Sequence, residues 1–207
     1  NCIDGNRVYL GFSADMKLKK IFNSFSTYEK INIGGVSGQK LSKNDIIYFK
    51  NIKSPTTKKI PSSFINRYDQ IKIIRIIEGI HFDKIQNNLT LTDNYFKISS
   101  NSDRMGLRLL NNKIKLNNYN EIDSTVVTKG TIQVPRDGNP IILMSDSQST
   151  GGYPIIGNVC RIDISKITQI KPNKRVKFKI ITIDESNRIL DYELKKFKSK
   201  LDINLST

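Results

Sequence analysis

The sequence predicts a mainly β protein, and three segments carry that expectation. The first is a hairpin. Asp137-Gly138 is a strong turn signal because glycine reaches positive φ without a Cβ clash, so Thr125 to Val134 and Pro140 to Gln148 read as two paired strands. The second is the run Ile71 to Ile77, IKIIRII, which suits a strand buried on at least one face. The third is Val176, Phe178 and Ile180, which alternate with lysines as in a half-exposed strand.

Taken in order, Arg7 to Phe12 reads as a strand from the outset, so the first residues behave as the middle of a domain. Lys53 to Ser63, KSPTTKKIPSS, has no apolar period and is rich in Pro, Ser, Thr and Lys. That composition marks a linker at 53–63 between a first β unit at 1–52 and a second at 64–207. Phe82 to Leu91 is expected as a short helix. In the hairpin, a four-residue loop Arg136 to Asn139 places Thr131 and Gln133 on one face with Asp146, Gln148 and Thr150. Ile132, Val134, Ile141 and Leu143 then share the other face, and the two faces together suit a pocket wall. Near the end, Thr182-x-x-Glu185 fits a capping box, where side chains satisfy helix N-terminal amides. Leu190, Leu194, Phe197 and Leu201 follow at helical spacing, so a C-terminal amphipathic helix is expected.

Composition narrows the classes. At 207 residues and 37% hydrophobic content the chain can bury a sizeable core as one or two domains. No uncharged apolar run approaches the roughly 18 residues of a membrane-spanning helix, and no charged-then-apolar leader opens the sequence. A globular, cytoplasmic protein with no membrane partner is expected. Cys2 and Cys160 are the only cysteines and lack any C-x-x-C spacing, so neither a disulfide framework nor a metal site is expected. The formal charge of +15 would suit a nucleic-acid partner, but lysine, isoleucine and asparagine make up 79 of the 207 residues, the signature of an A/T-rich coding sequence. The lysines are scattered and no aromatic pattern offers a stacking platform, so no nucleic-acid partner is expected.

Several residues carry possible chemistry. Arg104, in Ser-Asp-Arg-Met-Gly, either grips a carboxylate with its guanidinium fork or pairs with Asp103 or another acid at a strand end. Gly151-Gly152 either points backbone N–H groups at an anion, with Tyr153 donating its phenol, or makes a tight turn with positive φ twice. Asp146 is suited to orient or deprotonate a nucleophile, and Gln133 and Gln148 to hold an amide by paired donor and acceptor contacts. The alternative is a polar, solvent-facing sheet side. His81 is the only histidine, which argues against a Ser-His-Asp triad and assigns it a structural role. Two motifs fail on spacing: Ala14 to Leu18 is not a biotinyl-lysine sequence, and Gly34 to Lys40 is not a phosphate-binding loop.

The segment Gly130 to Pro154, G-x-I-Q-V-P-x-D-G-x-P-I-x-L-x-x-D-x-Q-x-T-G-G-Y-P, preceded by Ser102 to Gly106, resembles the KipA family, also called allophanate hydrolase subunit 2 or the C subunit of 5-oxoprolinase. Tyr9-Leu10, Ser26-Thr27, Gly34-Gly35, Gly38 and Leu41 resemble the family's earlier segment, Ile71 to Gly79 its "VRVLPG" strand, and Arg161 to Lys174 its "ADL..L.QLKPGD" stretch. The likeness covers essentially the whole chain. It implies a cyclophilin-like β-barrel with short peripheral helices, and a family chain whose upstream third is missing before residue 1. Two positions depart from the family: Leu107 stands for its usual tyrosine and Phe25 for the arginine of "SRST".

The resemblance implies a subunit of an ATP-dependent 5-oxoprolinase, a hydrolase that opens a lactam to glutamate and works with A and B subunits. The chain has no ATP loop and no biotin lysine, so it is expected to bind no cofactor by itself, with ATP used by the complex. In that reading Arg104 grips the substrate carboxylate, Gln133, Asp146 and Gln148 address the amide, and Ser26, Thr27, Gly151, Gly152 and Tyr153 complete the binding site. Two alternatives stand beside it: a regulatory partner-binding role of the KipI/KipA type, and a carboxyltransferase-type domain acting on urea-like nitrogen.

Overall fold

A computed structural model describes residues 4–53, 68, 73–117 and 122–201. The chain forms two compact units: Tyr9–Ile65, and Asn1–Val8 together with Asn66–Thr207. Most of the expected linker lies outside the described residues. In the smaller unit, β1 (Asp15–Met16) pairs antiparallel with β2 (Phe49–Lys50), and the rings of Phe12 and Phe49 stand 4.8 Å apart. Arg7 to Phe12, expected as a strand, forms none and pairs with no strand among the described residues. A strand is stabilised by its neighbour's hydrogen bonds, so β-propensity without a partner leaves an irregular segment.

The larger unit is a closed barrel. Its strands are β3 (Ile73–Glu78), β4 (Phe96–Ile98), β5 (Gly106–Leu110), β7 (Thr131–Gln133), β8 (Ile141–Leu143), β10 (Ile155–Val159) and β11 (Arg175–Ile180). They run in the order β10-β3-β11-β4-β5-β8-β7, and β7 returns to β10. Every pairing is antiparallel except β3 with β11. Period-two alternation sends Ile74, Ile76, Leu107, Leu109, Ile132, Ile142, Val176 and Phe178 into one core, and closure leaves no free edge in this sheet. The remaining strands, β6 (Thr125–Val126) and β9 (Thr150–Gly151), make a separate two-stranded ribbon.

The hairpin around Asp137-Gly138 forms, but one residue out of the expected register. Gln133 faces Ile141 and Ile132 faces Ile142, so Gln133 shares a side with Ile141 and Leu143, while Ile132 lies opposite them. The proposed polar face is therefore not one face. The expected register would set Pro135 directly against Pro140, two residues with no N–H to donate. The chain instead closes a turn from Pro135 to Gly138, whose amide donates to the Pro135 carbonyl at 2.9 Å, with Gly138 at φ +79°. Nor is either expected strand continuous. Thr125 to Val134 is broken at Val127–Gly130 between β6 and β7, and the second strand leaves the ladder after Leu143, where the Ser147 amide turns back to the Met144 carbonyl.

Three helices are seen among the described residues: α1 (Leu89–Asp93), α2 (Arg161–Gln169) and α3 (Ile183–Leu201). The helix expected over Phe82 to Leu91 is two pieces, a 3-10 turn at Phe82–Lys84 and then α1. Between them the Gln86 amide donates to Lys115 and Ile85 bridges Leu116, bonds that a continuous helix would forfeit. The start of α3 follows the sequence, since the Thr182 hydroxyl accepts the Glu185 amide at 3.1 Å.

Candidate active site

Arg104 lies in a turn built by its neighbour. The Asp103 carboxylate accepts the amides of Met105 at 2.8 Å and Gly106 at 3.2 Å, which holds the Ser102–Gly106 segment at the start of β5. Beside it, the chain leaving β8 is joined by two backbone bonds: Met144 N–H to the Met105 carbonyl at 3.0 Å and Asp146 N–H to the Arg104 carbonyl at 2.9 Å. The guanidinium then grips Asp146 in fork geometry, Nε to Oδ2 at 2.7 Å and Nη2 to Oδ1 at 2.8 Å. Arg104 keeps 63% of its side chain exposed and Asp146 22%. Solvent screening limits such a pair to at most about 1 kcal/mol of stability.

Gln133 stands elsewhere and is only 1% exposed. Its amide Nε2 donates to the Tyr153 carbonyl at 3.3 Å. The backbone of Gly151 lies directly on the same amide, and a Cβ at that position would come within 2.7 Å of Nε2. Gly151 and Gly152 are not in the positive-φ region, so the expected turn with two left-handed residues is not formed. What Gly151 supplies is close approach. Gln133 therefore secures the β9 ribbon and the Tyr153 backbone, while the Tyr153 side chain stays 46% exposed. Gln148 is exposed.

Ser26 and Thr27 belong to the smaller unit, where they pack on the Gly34-Gly35 turn. Gly34 and Gly35 have φ of +79° and +60°, and Cβ atoms there would strike the Ser26 carbonyl and the Thr27 hydroxyl at about 2 Å. The two departures from the family pattern have local partners. Lys20 lies over the Phe25 ring at 5.0 Å, and Leu107 is buried in the main core. His81 is structural: its Nδ1 accepts the Ile155 amide at 3.1 Å, and burial, with Lys84 nearby, lowers its pKa below 6.5. Among the described residues no group of three or more His, Cys, Asp or Glu could hold a metal ion, and no helix is long and apolar enough to cross a membrane.

One polar cluster was not read from the sequence. Asp163, in the first turn of α2 and 1% exposed, accepts the Arg75 amide at 2.9 Å and its Nε and Nη2 at 2.7 and 2.6 Å, with Lys166 at 2.7 Å. Burial pushes its carboxyl pKa up, but the bonds from Arg75 and Lys166 outweigh it and hold the group below 3.8. The sequence signal was the acid of the "ADL"-like stretch. Its partner lies 88 positions away and has no local mark.

Arg104 and Asp146 are joined by this two-point ion pair beside β5 and β8, and the seven-stranded closed barrel that carries them has the architecture of a carboxyltransferase-type domain. The chain belongs to that family: residues 1–180 match the model described as carboxyltransferase domain, subdomain A and B. Among curated proteins it is 32% identical over 181 residues to the 5-oxoprolinase C subunit of Haemophilus influenzae, covering 87% of this chain and 58% of the relative. The 5-oxoprolinase C subunit of Escherichia coli is 29% identical over 182 residues, with 88% of this chain and 58% of the relative covered. The chain thus spans under two thirds of the length of both. A urea amidolyase of Saccharomyces cerevisiae is 26% identical, over 89% of this chain and 11% of that protein. The fold is shared with the solved urea amidolyase of Kluyveromyces lactis at a TM-score of 0.82 and 20% identity, over 95% of this chain and 13% of that one.

Proposed function

We propose that this chain is part of an amide-hydrolysing complex of the 5-oxoprolinase type, working with A and B subunits, with ATP used by the complex. The observation that carries the reading is the 32% identity to a 5-oxoprolinase C subunit across 87% of the chain. The site geometry is compatible with it. A substrate carboxylate has the same planar, two-oxygen shape as the Asp146 carboxylate now held by Arg104, so it can replace Asp146 in the guanidinium fork. Asp146, released beside the bound substrate, then accepts a proton from the attacking nucleophile. Gln133 acts as a positioning residue that holds Gly151 and Tyr153, and exposed Gln148 reaches the amide from the solvent side. Gly152 completes the proposed binding set within this unit.

Reconstitution with the A and B subunits, followed by 5-oxoproline-dependent ATP hydrolysis, tests this. Arg104→Ala is expected to cost on the order of 2 to 4 kcal/mol of transition-state stabilisation, and Arg104→Lys nearly as much because a point charge cannot grip in two places. Asp146→Asn is expected to lower turnover while leaving assembly intact. Unchanged turnover in Arg104→Ala overturns the assignment. A second reading, partner binding without turnover in the KipI/KipA manner, draws on Leu107, whose buried side chain supplies no phenol, and on Phe25 in place of a cation. Stable assembly without any 5-oxoproline-dependent activity would favour it. A carboxyltransferase activity on urea-like nitrogen would instead require carboxybiotin from another chain.

A further inference from the structure

A groove of about 650 Å³ lies between the Pro135–Gly138 turn and the segment Lys113–Leu116, with Gln86 at its edge. That volume falls within the roughly 300 to 1,000 Å³ of small-molecule sites. Its walls are tied together by backbone. Ile114 N–H donates to the Gly138 carbonyl at 2.8 Å, Gln86 N–H donates to the Lys115 carbonyl at 3.0 Å, and Ile85 bridges Leu116. Gly138 permits the join, because at φ +79° it brings its backbone against Ile114, where a Cβ would stand 3.1 Å from the carbonyl oxygen. Leu116 and Pro135 supply apolar surface, and the exposed Lys113 and Lys115 supply two cations, with Arg136 also in the lining. Asp137 is the one lining acid, and its carboxylate is engaged locally, accepting the Asn139 amide at 3.0 Å and its Nδ2 at 2.8 Å.

We propose that this groove binds a compact organic polyanion, a small molecule bearing phosphate or carboxylate groups. The site is separate from Arg104 and Asp146: the turn precedes β8 and Asp146 follows it, so the two stand at opposite ends of that strand. The lysines meet the anionic groups, the apolar surface takes the organic body, and the backbone ties hold the segments that carry them side by side before the ligand arrives. The assignment does not depend on the 5-oxoprolinase reading.

The test is titration of the whole chain with pyrophosphate and, separately, with citrate at constant ionic strength, followed through backbone amide chemical shifts. Saturable changes confined to Ile114, Lys115 and Arg136 to Gly138 are expected. Lys113→Gln with Lys115→Gln should weaken binding by about ten-fold or more, because charge-assisted hydrogen bonds are lost. Lys195→Gln with Lys196→Gln removes the same charge from exposed positions on α3 and should change affinity by less than about two-fold. Asp137→Asn should strengthen binding more than Asp191→Asn, which alters net charge equally. Tighter pyrophosphate than citrate identifies a phosphate-bearing ligand, and the reverse a polycarboxylate. Shifts that never saturate, that spread over the surface, or that respond alike to both lysine pairs would mean that net charge alone attracts the anions, and would overturn the site.

Discussion

At the scale of single residues, Asp163 and Arg104 illustrate two uses of one interaction. Both take part in two-point arginine–aspartate pairs, but Asp163 is 1% exposed and Arg104 63%. Burial decides how much each contributes to folding. Replacing Asp163 with Asn leaves Arg75 and Lys166 facing a neutral amide beneath α2, and is expected to destabilise the fold by about 3 kcal/mol in chemical denaturation. The Arg104–Asp146 pair can be broken at little cost to folding, so Arg104→Ala should retain its unfolding midpoint even where it loses turnover. A large loss of stability in Arg104→Ala would move that pair from chemistry to structure.

At the scale of elements, the ribbon of β6 and β9 depends on a residue without a side chain. Gly151 pairs with Thr125 and lies on the Gln133 amide. Gly151→Ala is expected to force Gln133 from its place and cost about 1 to 3 kcal/mol, with hydrogen-exchange protection lost first at Val127, whose amide donates to the Ser149 carbonyl. Unchanged protection there would mean that Gln133 yields freely. The hairpin next to it was legible as a turn at Asp137-Gly138 with an apolar strand on each side. Its register was not, because alternation alone does not say which residues face each other. Pro135 and Pro140 held the missing information: set opposite each other at a hydrogen-bonded pair, two residues without N–H groups would forfeit both bonds of that pair.

At the scale of the whole molecule, pH and salt act through the same charges. His81 has a folded pKa below its ordinary 6.5 because burial disfavours its cation, so the unfolded chain binds its proton more readily. Its contribution is present above 6.5 and is lost as pH falls from that value through the lower folded pKa. The folded pKa of Asp163 is likewise depressed below 3.8, so its contribution persists above that value and is lost on further acidification through the folded pKa. Unfolding free energy is therefore expected to fall in two separate steps on acidification, and His81→Gln should remove the upper one. With a formal charge of +15 the folded chain also repels itself. Raising salt from about 0.01 to 0.3 M shortens the screening length from about 30 Å to under 10 Å and is expected to raise the thermal midpoint.

The sequence by itself determined what depends on neighbours along the chain: the alternation that fills the barrel with Ile74, Ile76, Val176 and Phe178, the Thr182 cap of α3, and the turn at Gly138. Its motifs also singled out Arg104 and Asp146, though not their pairing. Tertiary structure alone decided which residues meet. It closed the seven strands into a barrel, slipped the hairpin register by one, turned Gln133 into a support for Gly151, joined Arg104 to Asp146, and brought Arg75 to Asp163 across 88 positions. The physical reason is that side-chain periodicity is set by bond geometry within a segment, whereas strand partners and ion pairs are chosen by the packing of segments distant in sequence.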